Sequence, residues 1–96
     1  MSNKNEEKIG EMRFQKYDCG DIHIHDGGRK FIQQQGVFKQ EVEDALQALK
    51  SDDGIVKLES NGGDSDLYLC KDDKELYAFL GQKDITSELQ KFIKTL

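Results

Sequence analysis

Apolar residues recur along this chain with two different periods. Met12 and Phe14 alternate with Arg13 and Gln15, Ile22 and Ile24 alternate with His23 and His25, and Phe31 follows a turn at Asp26-Gly27-Gly28. The period of two returns at Val56 and Leu58, at Leu67 and Leu69, and at Leu76, Ala78 and Leu80. Side chains alternate across a strand, so each run predicts a strand with one buried face. After each set the spacing widens to that of a helix. Phe38, Val42, Ala45, Leu46 and Leu49 fall on one helical face, and Ile85, Leu89, Phe92, Ile93 and Leu96 repeat them at a shift of 47. Asp84 is placed to cap the second helix.

The strands before the helices match at shifts of 44 and 45: Met12 and Phe14 with Val56 and Leu58, Ile22 and Ile24 with Leu67 and Leu69, Phe31 with Leu76. The expected fold is therefore α+β: two β-β-β-α repeats forming an antiparallel sheet of about six strands, with two helices packed on one face. Repeat one spans 11–50 and repeat two 54–96 of a single domain, 11–96. The polar, aperiodic stretch 1–10 reads as a disordered N-terminal tail. Acidic turns are expected at Asp52-Asp53, at Asp64 with Asp66, and at Asp72-Asp73.

The strand positions opposite the predicted core are less ordinary. They hold Tyr17, His23, His25, Ile32, Tyr68, Cys70, Tyr77 and Phe79, which include all three tyrosines of the chain. A solvated sheet face is usually Lys, Glu, Thr and Ser. With both helices on the other side, these residues make an exposed aromatic patch of the kind that marks an interface. If the helices split across both faces, the same residues are ordinary core. The run 75–80 is apolar on both sides, as a doubly covered strand would be.

Charge narrows the choice of partner. The net charge is −5, from +1 over residues 1–40 (seven basic, six acidic) and −6 over residues 41–96 (seven basic, thirteen acidic). A uniformly basic footprint for nucleic acid is absent. No apolar run approaches the roughly 20 residues of a membrane span, so no membrane partner is expected. Cys19 and Cys70 form no disulfide framework, which points to a reducing, cytoplasmic setting.

Several segments resemble chemical motifs and fall short of them. His23-Ile24-His25 puts two imidazoles on one strand face, and Cys70, the counterpart of His25 at a shift of 45, could complete a zinc site with them. Such a site needs three or four converging ligands. Asp26-Gly27-Gly28-Arg29-Lys30 lacks the spacing of a phosphate loop and reads as a hairpin turn. Asn61-Gly62-Gly63-Asp64-Ser65-Asp66 lacks calcium-loop spacing and reads as turn chemistry. Cys19 beside His23 or His25 has no third orienting group, so no catalytic residue is assigned and no enzyme or cofactor is expected.

The expectation is a small non-catalytic binding or adaptor module. Its contact residues would be Tyr17, Ile32, Tyr68, Tyr77 and Phe79, and its partner another protein or a second copy as a homodimer. The alternative is single-stranded nucleic-acid binding, with bases stacked on the sheet aromatics and phosphates held by Arg13, Lys16, Arg29 and Lys30. The acidic second half opposes that alternative. Two strand-rich repeats each ending in a helix resemble in layout the Pur-alpha and Whirly single-strand binders. Those families carry four strands per repeat where three are read here, and none of their sequence motifs is present.

Overall fold

The computed structural model describes residues 4–51 and 54–96, so the Asp52-Asp53 turn and the first three residues of the expected tail lie outside it. Among the described residues the order is β1 (Lys4–Ile9), β2 (Met12–Tyr17), β3 (Asp21–Asp26), β4 (Arg29–Gln34), α1 (Gln35–Ser51), β5 (Gly54–Leu58), β6 (Leu67–Asp72), β7 (Glu75–Leu80), β8 (Lys83–Asp84) and α2 (Thr86–Ile93). The strands form two antiparallel meanders, β1-β2-β3-β4 and β5-β6-β7-β8, referred to as sheets A and B.

The α+β class and the two strand-then-helix units match the sequence reading, but the details differ. There are two four-stranded sheets in place of one sheet of about six strands, and each unit is β-β-β-β-α. The extra strands carry little hydrophobic signal. β1 lies in the stretch read as tail, and its sequence KNEEKI brings Ile9 to the core margin. Its ladder with β2 runs through six residue pairs, from Lys4 opposite Tyr17 to Ile9 opposite Met12. Backbone pairing makes it a strand, and its edge position lets it stay polar. β8 has only two residues, too few to show a period. By order of elements β5 corresponds to β1, so the sequence match of β5 with β2 is one strand out of phase.

The helices also sit differently from expectation. α1 touches β3 and β4 of sheet A and β5 and β6 of sheet B, while α2 touches β7 of sheet B and β1 of sheet A. Both helices serve both sheets. Every strand residue expected to face inward lies in the resulting core or packs against it, Val56 and Leu76 being partly buried. The centre is aromatic. Phe92 of α2 stacks on Phe14 of β2 with ring centroids 4.6 Å apart, Phe38 of α1 lies 6.3 Å from Phe92, and Phe31 of β4 lies 6.0 Å from Phe38. All four rings are fully buried. Removing such a ring typically costs about 3–5 kcal/mol, so this cluster ties the two units into one cooperative body.

Local chemistry fixes the joints. Asp84 holds the start of α2 from one residue before the cap position, which Ile85 occupies: its Oδ1 accepts the Thr86 amide at 2.9 Å and the Thr86 hydroxyl at 2.5 Å. Those bonds hold the Asp84 carboxyl below its ordinary pKa. The loop 59–66 of the second unit runs along the free edge of β4. There the Asn61 amide donates to the Ile32 carbonyl (3.0 Å), the Asp64 amide donates to the Lys30 carbonyl (2.7 Å), and the Asp64 carboxylate accepts the Lys30 amide. The segment that looks like a calcium loop thus spends its groups on an otherwise unpaired strand edge.

Gly63 is pressed onto that edge, where a β-carbon would run into the Lys30 carbonyl. Backbone cannot move aside as a flexible side chain can. Gly63→Ala is expected to lower unfolding stability by about 2–3 kcal/mol in urea titrations, whereas Gly28→Ala, facing open space, should cost well under half of that.

Candidate functional site

With the inner faces committed to one core, the alternate strand positions point outward on each sheet. Tyr17, His23, His25, Ile32, Tyr68, Cys70, Tyr77 and Phe79 all emerge there, each half-buried. They do not form one patch. Tyr17, His23, His25 and Ile32 belong to sheet A, and Tyr68, Cys70, Tyr77 and Phe79 belong to sheet B.

On sheet A, direct cross-strand pairing builds two rows. Lys8 lies opposite Arg13, Arg13 opposite His25, and His25 opposite Lys30. This row crosses all four strands, a span of roughly 14 Å at the usual strand spacing. The neighbouring row is Glu6, Gln15, His23 and Ile32. Tyr17 stands beside it, its ring 4.4 Å from that of His23, and the His23 ring is 6.2 Å from that of His25.

Gln15 organises the cluster although it is buried (3% exposed) on an outward-facing position. Its amide donates to Glu6 at 2.5 Å, and its carbonyl oxygen accepts the Tyr17 hydroxyl at 3.2 Å and His25 Nε2–H at 3.0 Å. Because that oxygen can only accept, neutral His25 carries its proton on Nε2 and leaves Nδ1 available. Burial, then Arg13, His23 and Lys30, lower the His25 pKa from its ordinary 6.5, while Glu6 works the other way. Near neutral pH His25 is therefore an uncharged ring within a cationic row.

Sheet B has a different outer face. One row reads Lys57, Tyr68, Phe79 and Asp84, and the next reads Ile55, Cys70 and Tyr77. Asp72 and Glu75 pair at the turn end. Tyr77 and Phe79 stack with centroids 6.5 Å apart, and Ile55 is 72% exposed. Burial, followed by Asp72 and Asp84, raises the Cys70 thiol above its ordinary pKa, so it stays protonated at neutral pH. A hydrogen bond to the Glu75 carboxylate likewise raises the Tyr77 hydroxyl.

Comparison with known proteins finds no family model, no curated protein and no solved structure that this chain matches. The reading of the faces therefore rests on their own chemistry.

Three of the residues singled out in the sequence are placed elsewhere. Cys70 lies on sheet B, so it does not join His23 and His25, and among the described residues no group of three or more His, Cys, Asp or Glu side chains is arranged to hold a metal ion. Of the four expected phosphate contacts, Arg13 and Lys30 are on the outer face of sheet A. Lys16 pairs with Ile22 and so shares the inner side, where its Nζ lies 5.5 Å from the Phe92 ring centroid and donates to the Thr95 carbonyl at 3.1 Å. Arg29 reaches the Leu80 carbonyl at 3.4 Å and packs on Gly81, joining the two units. Lys8 was missed because it sat in the presumed tail; nothing in so polar a stretch marks it as a strand residue.

No helix among the described residues is long and apolar enough to cross a membrane. An open recess of about 600 Å³ between α1 and β5 is lined by Glu41, Asp44 and Glu59 among others, with no histidine or cysteine.

A histidine whose pKa is lower folded than unfolded costs stability on acidification: the unfolded chain takes up the proton first. His25 should therefore withdraw stability as pH falls below about 6.5, levelling off once the folded form protonates. Urea unfolding followed between neutrality and the onset of carboxylate titration should show that decline, and His25→Gln should flatten it.

Proposed function

We propose that this chain is a non-catalytic binding module whose sheet A face holds single-stranded nucleic acid. The observation that carries the reading is the row Lys8–Arg13–His25–Lys30 crossing all four strands beside the Tyr17, His23 and His25 rings. An extended strand laid across the sheet would run its phosphates along the row and its bases over the rings. Stacking on an aromatic ring is tolerant of sequence, because every base has a π-face. A duplex hides those faces, so single strands are the favoured ligand.

The net charge of −5 is the main objection. Charges further apart than about 10 Å are largely screened at 0.1 M salt. The acidic residues Asp72, Glu75 and Asp84 are on the outer face of the other sheet, whereas Arg13 and Lys30 would touch the ligand directly. Glu6 does compete for Arg13, but the pair is 3.9 Å apart and exposed, which makes it weak. With four strands per unit, the layout also agrees with that of the Pur-alpha and Whirly single-strand binders. Layout alone is weak ground for function, and the cationic row is the stronger support.

Three cations on phosphates give a slope of log affinity against log salt of about −2 for a single strand. Fluorescence anisotropy with a labelled mixed-sequence single strand should find that slope, with Arg13→Ala and Lys30→Ala each making it shallower by about 0.7. Tyr17→Ala should lose about 1–3 kcal/mol of binding with the salt slope unchanged. A salt-independent affinity, or tighter binding to the matching duplex, would contradict the proposal.

A further inference from the structure

The outer face of sheet B is unused by the reading above and differs from sheet A in every respect that governs binding. We propose that it is a self-association surface, on which a second copy of this chain docks face to face about a two-fold axis. The axis lies in the contact plane, parallel to the strands and between β6 and β7.

The residues choose this axis. Lys57 and Asp84 occupy opposite edges of the same row, with Tyr68 and Phe79 between them. Turning a second copy over about the stated axis preserves the row and reverses its direction. Lys57 then meets Asp84 of the second copy at both edges, Tyr68 meets Phe79, and Cys70 meets Tyr77. Two opposite charges bracket an aromatic centre, the usual anatomy of a specific interface.

Shape agrees with charge. β8 has only two residues, and just beyond it Thr86 lies against the backbone beside Tyr77, its hydroxyl oxygen accepting the Ala78 amide at 2.9 Å. Ile55, 72% exposed on β5, comes over Thr86 of the second copy and is covered there. Packed sheets cross at about 30° and lie about 10 Å apart, a displacement that a lysine at the edge can span. Asp72 and Glu75 meet at the turn end of the contact, where water reaches them. Lys57 also pairs with Glu59 at 3.4 Å, but that pair is exposed and weak enough to be exchanged. The contact is isologous and closes at two copies, whereas the cationic face of sheet A laid on the acidic face of sheet B would propagate into a filament.

The full chain tests this directly. Sedimentation equilibrium should find a dimer, and carbodiimide coupling of mixed isotope-labelled and unlabelled protein should yield hybrid peptides joining Lys57 to Asp84. Within one copy these residues are three strand spacings apart, roughly 14 Å, too far for a zero-length link, so that product reports the second copy. Tyr68→Ser and Phe79→Ser, each checked for folding by circular dichroism, should raise the dimer dissociation constant by at least about tenfold. A monomer at the highest soluble concentration would overturn the proposal and leave the face to another protein. So would a dimer lacking the Lys57–Asp84 link, or one unaffected in both variants when folded. None of these outcomes bears on nucleic-acid binding, which uses the other sheet.

Discussion

Phe92 is the residue on which the architecture turns. It belongs to the last helix of the second unit, yet its ring lies 4.6 Å from Phe14 in the second strand of the first unit. Phe38 and Phe31 extend the same cluster toward β4. Neither unit closes its core without the other, because each helix supplies apolar surface to both sheets. A chain of 96 residues has limited apolar material, and here most of it goes to a single interior. Whatever chemistry the chain offers to other molecules must then come from the opposite side of each strand.

That constraint explains why the outer faces diverge while the inner faces stay alike. The inward positions of both units are drawn largely from the same apolar set, whereas the outward positions are less constrained by packing. On sheet A they became lysine, arginine, histidine and a tyrosine, with Tyr17 and His25 joined through Gln15. On sheet B they became tyrosine, phenylalanine and isoleucine edged by Lys57 and Asp84. One face suits a polyanion with exposed rings, and the other suits a partly apolar protein surface. The loop 59–66 completes the division by sealing the edge of β4 from the side of the second unit.

Much of this is legible in the sequence because the period-two pattern is strong wherever a strand has an apolar inner face. Met12, Phe14, Ile22, Ile24, Leu67, Leu69 and Leu80 declare their strands and their inward direction, and the outward residues follow by alternation. Strands that lack such a face are silent. β1 is held by backbone hydrogen bonds and reads as polar tail, and β8 is too short to have a period. Losing those two strands merged two sheets into one and put the matching of the units out of phase by a strand. It also hid Lys8, the first member of the cationic row. Lys16 and Arg29 differ: they share the inward parity of Met12, Phe14 and Phe31, so alternation already turns them from the outer face, and their long side chains reach a helix end and the other unit.

The central claim is that sheet A offers a cationic, ring-bearing face for a single strand and that sheet B does not. An amide-resolved NMR titration with a mixed-sequence single-stranded oligonucleotide at low salt addresses it most directly. Saturable shifts are expected at Lys8, Arg13, Gln15, Tyr17, His23, His25 and Lys30, with Tyr68, Cys70, Tyr77 and Phe79 unmoved. No shifts on sheet A, or shifts centred on sheet B, would contradict the account.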